Sequence, residues 1–218
     1  METIKGISSA VLIDKLNWRY ATKKFDPDKK LSQGQVEGLM EILRLAPSSM
    51  GLQPYTFVRV IDQEIRKQLR QVSSNQAQIT DASEIIVFAA NKSITTEDIQ
   101  AFVQLSADSR GYPADAAGRR VLSIKRYVDG FTADGLLEWN ARQAYIAMGQ
   151  LLAAAAMSEI DACPMEGIDK EQYNRILGLN SLDLQTLAVV ALGFRSREDE
   201  SQYMPKVRKS IEQLFLTI

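Results

Sequence analysis

The sequence predicts an α+β domain in which helices outnumber strands. Three observations carry that expectation. Ile85 to Ala90 and Leu184 to Phe194 are continuous apolar runs of strand length, the pattern of strands buried on both faces. Long segments with apolar residues at helical spacing surround them, above all Ser32 to Leu45 and Gly135 to Ile160. Strands are few, so helices must cover one central sheet. Alternation of helix and strand also fits a doubly wound fold, but no Gly-x-Gly-x-x-Gly follows a strand and no Walker A loop is present.

The elements follow in order. Ile7 to Leu16 carries Ile7, Val11 and Leu12 at helical spacing. Ser32 is a good N-cap for a helix whose Val36, Leu39, Met40 and Leu43 form one stripe. Tyr55 to Ile61 is β-rich after Pro54, and Glu64 to Val72 is a short amphipathic helix. Thr95 to Ala107 and Ala114 to Tyr127 read as helices broken at Gly111-Tyr112-Pro113. Gly135 to Ile160 is the longest helical pattern, and its small residues Ala141, Ala144, Ala147, Gly149 and Ala153 to Ala156 suit close packing either in the chain's own core or against a partner helix. Leu214 to Ile218 is apolar for a tail and reads as a strand added to a sheet edge. With no repeat, linker or low-complexity block, residues 1–218 read as a single domain.

Composition removes whole chemistries. The chain of 218 residues has no histidine, so it holds no Ser-His-Asp triad, Cys-His pair or His-ligated zinc. The lone Cys163 allows neither an internal disulfide nor a CxxC pair. A formal net charge of −1 argues against nucleic acid, and no apolar run reaches the roughly 20 residues that span a bilayer. The spaced apolar residues of the first stretch and the unpaired cysteine set the expectation of a cytoplasmic protein without a leader. Carboxylate, lysine or tyrosine chemistry, or a bound cofactor, is what remains.

Four segments could carry that chemistry. Asn17-Trp18-Arg19-Tyr20-Ala21-Thr22-Lys23-Lys24-Phe25-Asp26 is either a solvated helix end, with cations opposing the dipole, or an anion clamp in which Arg19 forks onto a phosphate and Lys23 adds a point charge. Ala46-Pro47-Ser48-Ser49-Met50-Gly51-Leu52-Gln53-Pro54-Tyr55 is a defined loop, either an ordinary connection or a set of hydrogen-bonding groups. Cys163-Pro164-Met165-Glu166-Gly167 is a simple turn or a close backbone approach to a ligand. Met204-Pro205-Lys206-Val207-Arg208-Lys209 places Lys206 and Arg208 on one side if extended.

Together these segments resemble the FMN-dependent nitroreductase family. The resemblance rests on Arg19 to Phe25, Pro47-Ser48-Ser49 with Gln53-Pro54-Tyr55, Pro164 to Gly167, and Pro205 to Arg208, in that order. It covers essentially the whole chain and is nearest to the oxygen-insensitive NAD(P)H nitroreductase and flavin reductase branch. It implies a mostly antiparallel sheet flanked by helices, with the C-terminal strand exchanged between the subunits of a homodimer. Arg19, Lys206 and Arg208 are then expected at the FMN phosphate and ribityl side, and Tyr20 and Ala21 beside the cofactor. Lys23 and Asn75 would meet the pyrimidine edge, and Pro164, Met165, Glu166 and Gly167 the isoalloxazine face. Pro47, Ser48, Ser49 and Gly51 would come from the partner subunit. Lys23, Glu166 and Gly167 are the catalytic candidates, and no metal is implied.

The implied activity is NAD(P)H-driven reduction of nitroaromatics, quinones or similar flat acceptors. Reductive dehalogenation, flavin fragmentation and a non-catalytic dimeric scaffold are the competing readings. Tyr20 and Ala21 replace the His and Ser of many relatives, and Gly51 stands where Asn is frequent. Those departures bear on nucleotide preference and rate.

Overall fold

The computed structural model describes residues 6–218; the first five residues, part of the stretch read for a leader, lie outside them. The described chain begins with α1 (Ser9–Trp18), α2 (Gln33–Arg44) and β1 (Tyr55–Arg59). Next come α3 (Gln63–Gln71), α4 (Gln78–Asp81) and β2 (Glu84–Asn91). An α5 (Thr96–Arg110), α6 (Ala114–Val128) hairpin leads into the long α7 (Ala133–Met157). After it come β3 (Asp161–Met165), α8 (Lys170–Ile176), β4 (Leu184–Gly193) and the single turn α9 (Ile211–Leu214). Ser32 caps α2 through a full capping box with Gln35, and Thr95 does the same for α5 with Asp98.

The strands form one four-stranded sheet in the order β1-β2-β4-β3, antiparallel throughout. Residues alternate between its faces with the strand period of two. Ile86, Phe88 and Ala90 of β2, with Val190 and Leu192 of β4, meet α2 and α7. Ile85 and Val87, with Val189 and Ala191, meet Leu69, Ile79 and Tyr173 from α3, α4 and α8. Helix therefore covers both faces, which is why β2 and β4 read as unbroken apolar runs.

The structure refines three readings. The small residues of α7 mostly serve this chain's own core: Ala144, Ala147, Ala155 and Ala156 are buried, the first three against the sheet. The outward side of α7 instead shows Tyr145, Ile146 and Gly149. Cys163 to Met165 belong to β3 itself rather than to a turn after it. The tail makes no pairing with its own sheet; Leu214 closes a helical turn, and Phe215, Leu216 and Ile218 are exposed.

Candidate cofactor site

The site grows from the end of α1. Arg19 leaves the helix in extended conformation, and Ala21 then runs parallel to Ala162 of β3. Thr22, fully buried, donates its N–H to the Ala162 carbonyl at 3.3 Å. Asp26 N–H reaches the Phe194 carbonyl at 2.8 Å, and Lys24 accepts from Ser196 N–H at 2.9 Å. Residues 19–26 are thus stitched across the end of β3 and the exit of β4.

That stitching is reinforced by charge. Arg195 lies between two rings, its guanidinium carbon 4.2 Å from the Trp18 centroid and 4.6 Å from that of Tyr20. Its Nε donates to Asp161 Oδ1 at 2.7 Å, and its backbone N–H donates to Oδ2 at 2.8 Å. Asp199, buried, accepts from the Tyr20 hydroxyl at 2.9 Å and from Lys23 N–H at 2.7 Å. Burial alone would raise Asp199, but the N–H bonds from Lys24 and Lys23 and the Tyr20 hydroxyl bring it below the ordinary carboxylate value.

The result is a cavity of about 420 Å³ lined by Arg19, Ala21, Lys23, Lys206 and Arg208, with Gln202 and Pro205 closing it. The Lys206 ammonium donates to the Arg19 carbonyl, so cations 187 positions apart share one wall. No carboxylate lines this cavity among the described residues. The Arg19 Nε is buried without a hydrogen-bond partner. Burial and the neighbouring Arg208 lower the Arg19 guanidinium from its usual value, and burial, Arg19 and Arg208 do the same to the Lys206 ammonium. An anion placed here would relieve all of these penalties at once. The anion-clamp reading of Arg19 and Lys23, and the side-by-side reading of Lys206 and Arg208, therefore converge on one place. That donor set suits a phosphate, and a phosphate-bearing cofactor fits it.

The segment 163–167 adjoins that cavity through β3. The Cys163 thiol is buried, which pushes it up, against the pull of Lys23 and Gln78. It is a packed side chain and not an activated nucleophile. Gln76 Nε2 donates to the Gly167 carbonyl at 3.2 Å, and Asp169 N–H reaches the Val72 carbonyl at 2.8 Å. These bonds tie the turn carrying Asn75 to Gly167 and Asp169, at the end of that segment. Asn75 itself sits at φ 52 and accepts from Arg70 Nε at 2.8 Å. Burial and the Glu166 carboxylate raise the Tyr145 hydroxyl above its ordinary value, which places α7 against this segment.

Tyr20 and the loop expected from the partner subunit stand apart from the cations. Tyr20 lines the cavity, but its ring and hydroxyl are committed to Arg195 and Asp199. Pro47, Ser48, Ser49 and Gly51 line no part of this chain's cavity. Their loop is held elsewhere: Gln53 N–H donates to Ser48 Oγ at 2.9 Å, and Ser49 N–H to Gln143 Oε1 at 2.8 Å. Gly51, at φ 80, stands so close to Phe102 that a Cβ would lie 3.0 Å from its ring. Sequence reasoning missed Asp161, Arg195 and Asp199. Asp161 opens a buried strand and Arg195 follows one, a position where a charge needs a partner; Asp199 sits in a charged stretch and carried no signal.

Comparison with known proteins decides the family. The model of the nitroreductase family matches residues 16–194. The chain belongs to the nitroreductase family. A candidate NAD(P)H nitroreductase of Staphylococcus aureus is 33% identical over 217 residues, covering 93% of each chain. Among solved structures, a candidate nitroreductase of Bacillus subtilis superposes with TM-score 0.87 at 19% identity, covering 97% of this chain and 100% of its own. A candidate nitroreductase of Exiguobacterium sibiricum, solved in complex with FMN, superposes with TM-score 0.84 at 19% identity, covering 99% and 100%. Both structures share the fold over nearly the whole chain.

Proposed function

We propose that this nitroreductase-family chain is a homodimeric oxidoreductase that holds FMN and uses NAD(P)H to reduce nitroaromatics, quinones or similar flat acceptors in a ping-pong cycle. The observation that carries the reading is the cation-lined cavity with its unpartnered Arg19 Nε and no lining carboxylate among the described residues. Arg19, Lys206 and Arg208 would hold the phosphate and ribityl side. Ala21 and the turn of Asn75 would flank the ring system, with Pro164, Met165, Glu166 and Gly167 along its face. Hydride and electron transfer is chemistry that FMN supplies when bound; the protein binds, orients and tunes it. Lys23 brings a cation to the pyrimidine side, where negative charge accumulates on reduction. The absence of histidine is no obstacle, because protons for the acceptor can come from water.

The dimer reading rests on unsatisfied surface. Leu214, Phe215, Leu216 and Ile218 are exposed, as are Tyr145 and Ile146 on α7. Strand β1 is an open edge of the sheet, and beside it lies a hollow of about 380 Å³ whose floor of Met40, Leu43, Tyr55, Phe57 and Ile86 is rimmed by Arg44, Gln53 and Arg59. The partner's tail pairing with that edge would cover both. Pro47 to Gly51 would then reach the partner's cofactor. Among the described residues no helix is long and apolar enough to cross a membrane, and a cytoplasmic location is part of the same reading.

Steady-state kinetics test the function. With FMN present, NADH or NADPH oxidation should depend on a quinone or nitroarene acceptor, with parallel double-reciprocal lines when both substrates vary. Intersecting lines would exclude the ping-pong cycle, and no oxidation of either nucleotide would exclude the activity.

A further inference from the structure

The cations of the cavity come from two stretches far apart in the chain: Arg19 and Lys23 from residues 19–24, Lys206 and Arg208 from residues 204–208. One carboxylate joins those stretches. Asp199 Oδ2 accepts from the Tyr20 hydroxyl at 2.9 Å, from Lys23 N–H at 2.7 Å and from Lys24 N–H at 3.1 Å. Its Oδ1 accepts from Ser201 N–H at 3.0 Å and caps the 3₁₀ turn Glu200–Tyr203, which leads directly into the second stretch. Capping alone would explain the Ser201 bond and leave the three donors on the other oxygen unexplained. At 1% exposed, Asp199 meets those donors with little help from solvent.

We propose that Asp199 is the positioning residue that sets the two halves of the cation clamp at phosphate spacing. This deepens the FMN reading and rests on it. The argument is electrostatic as well as geometric. Arg19, Lys23, Lys206 and Arg208 repel one another around a partly desolvated space. A buried negative charge directly behind Lys23 and Lys24 offsets that repulsion, so the clamp stays assembled before any anion arrives. Asp161 does not share the task, because Arg195 takes both of its oxygens. Asp199 touches no reacting atom in this arrangement. Asp199 reaches Lys23 only at its backbone N–H, so its effect falls mainly on the phosphate end of the ligand, where Arg19, Lys206 and Arg208 stand.

That selectivity gives the test. FMN and riboflavin, which lacks the phosphate, are titrated against the wild type, Asp199→Asn and Tyr20→Phe, with thermal unfolding measured in parallel. The Asn side chain keeps the shape but turns an N–H donor toward N–H groups. Asp199→Asn should weaken FMN about 10- to 100-fold, the scale of charge-assisted hydrogen bonds. Its riboflavin affinity should stay within about twofold of the wild type, since no phosphate contact is lost. Tyr20→Phe, which removes one donor and keeps the ring beside Arg195, should show the same selectivity with a smaller loss. Equal FMN affinity in both variants would overturn the proposal. So would a parallel loss of FMN and riboflavin together with lowered thermal stability, which marks a merely structural carboxylate. A wild type that binds neither flavin would refute the FMN reading itself, and the proposal with it.

Discussion

Replacing Arg195 by Met removes a guanidinium from one of the most enclosed ionic contacts around the site. The Arg195 and Asp161 side chains are 18% and 5% exposed. After the change Asp161 keeps the residue 195 N–H and a long contact from Thr22 Oγ1 at 3.5 Å, but no cation. Breaking a buried pair from one side costs about 3–5 kcal/mol, because the surviving charge stays desolvated. The retained N–H places the expected loss near the lower end, about 3 kcal/mol, with the lost stacking on Trp18 and Tyr20 included. For a chain of this length that is a fall in Tm of roughly 6–12 °C. Urea unfolding at fixed protomer concentration, followed by tryptophan fluorescence, gives the free energy. The double variant Asp161→Asn with Arg195→Met leaves no uncompensated charge at this pair and should recover at least half of the loss. A single variant within about 1 kcal/mol of wild type, or a double variant no better than the single, would refute the reasoning.

The other predictions concern the clamp, the assembly and pH. Arg208→Ala should weaken FMN roughly 10- to 100-fold by equilibrium titration, and unchanged affinity would mean that the tail patch is merely solvated. Deleting Leu214 to Ile218 should weaken the dimer, by sedimentation, and FMN retention together; a truncated monomer that keeps FMN tightly would contradict a site shared between subunits. Tyr173 is buried against Ser73, and burial pushes its phenol up to about 12. Its folded state therefore holds a proton that the unfolded chain releases near pH 10, so stability is full below pH 10 and falls by about 3 kcal/mol as pH rises to 12. Tyr173→Phe should abolish that alkaline loss; an unchanged pH slope would show that other groups cause it.

What was legible in the sequence was what local rules control. The helix at Ser32 announced itself because the cap and the apolar stripe are both local, and β2 and β4 because both of their faces are buried. Strand β3 was hidden by Pro164, which a sheet tolerates at its edge, where β3 lies. The alanines of α7 could have faced either a partner or a sheet, and only the position of β2 and β4 settles which. The cation-lined cavity was legible as residue types in order, since Arg19, Lys23, Lys206 and Arg208 stand in recognisable segments. Asp199 and the Asp161–Arg195 pair were not, because a buried carboxylate and a solvated one look alike until the chain brings donors from 175 or 34 positions away.

The central claim is that the cation-lined cavity holds FMN. Flavin absorbance of the purified protein, completed by titration with added FMN, measures that directly. About one FMN per subunit with micromolar or tighter affinity is the expected result, in line with a phosphate held by several charge-assisted hydrogen bonds. A colourless protein that takes up no added FMN at micromolar concentration would contradict it.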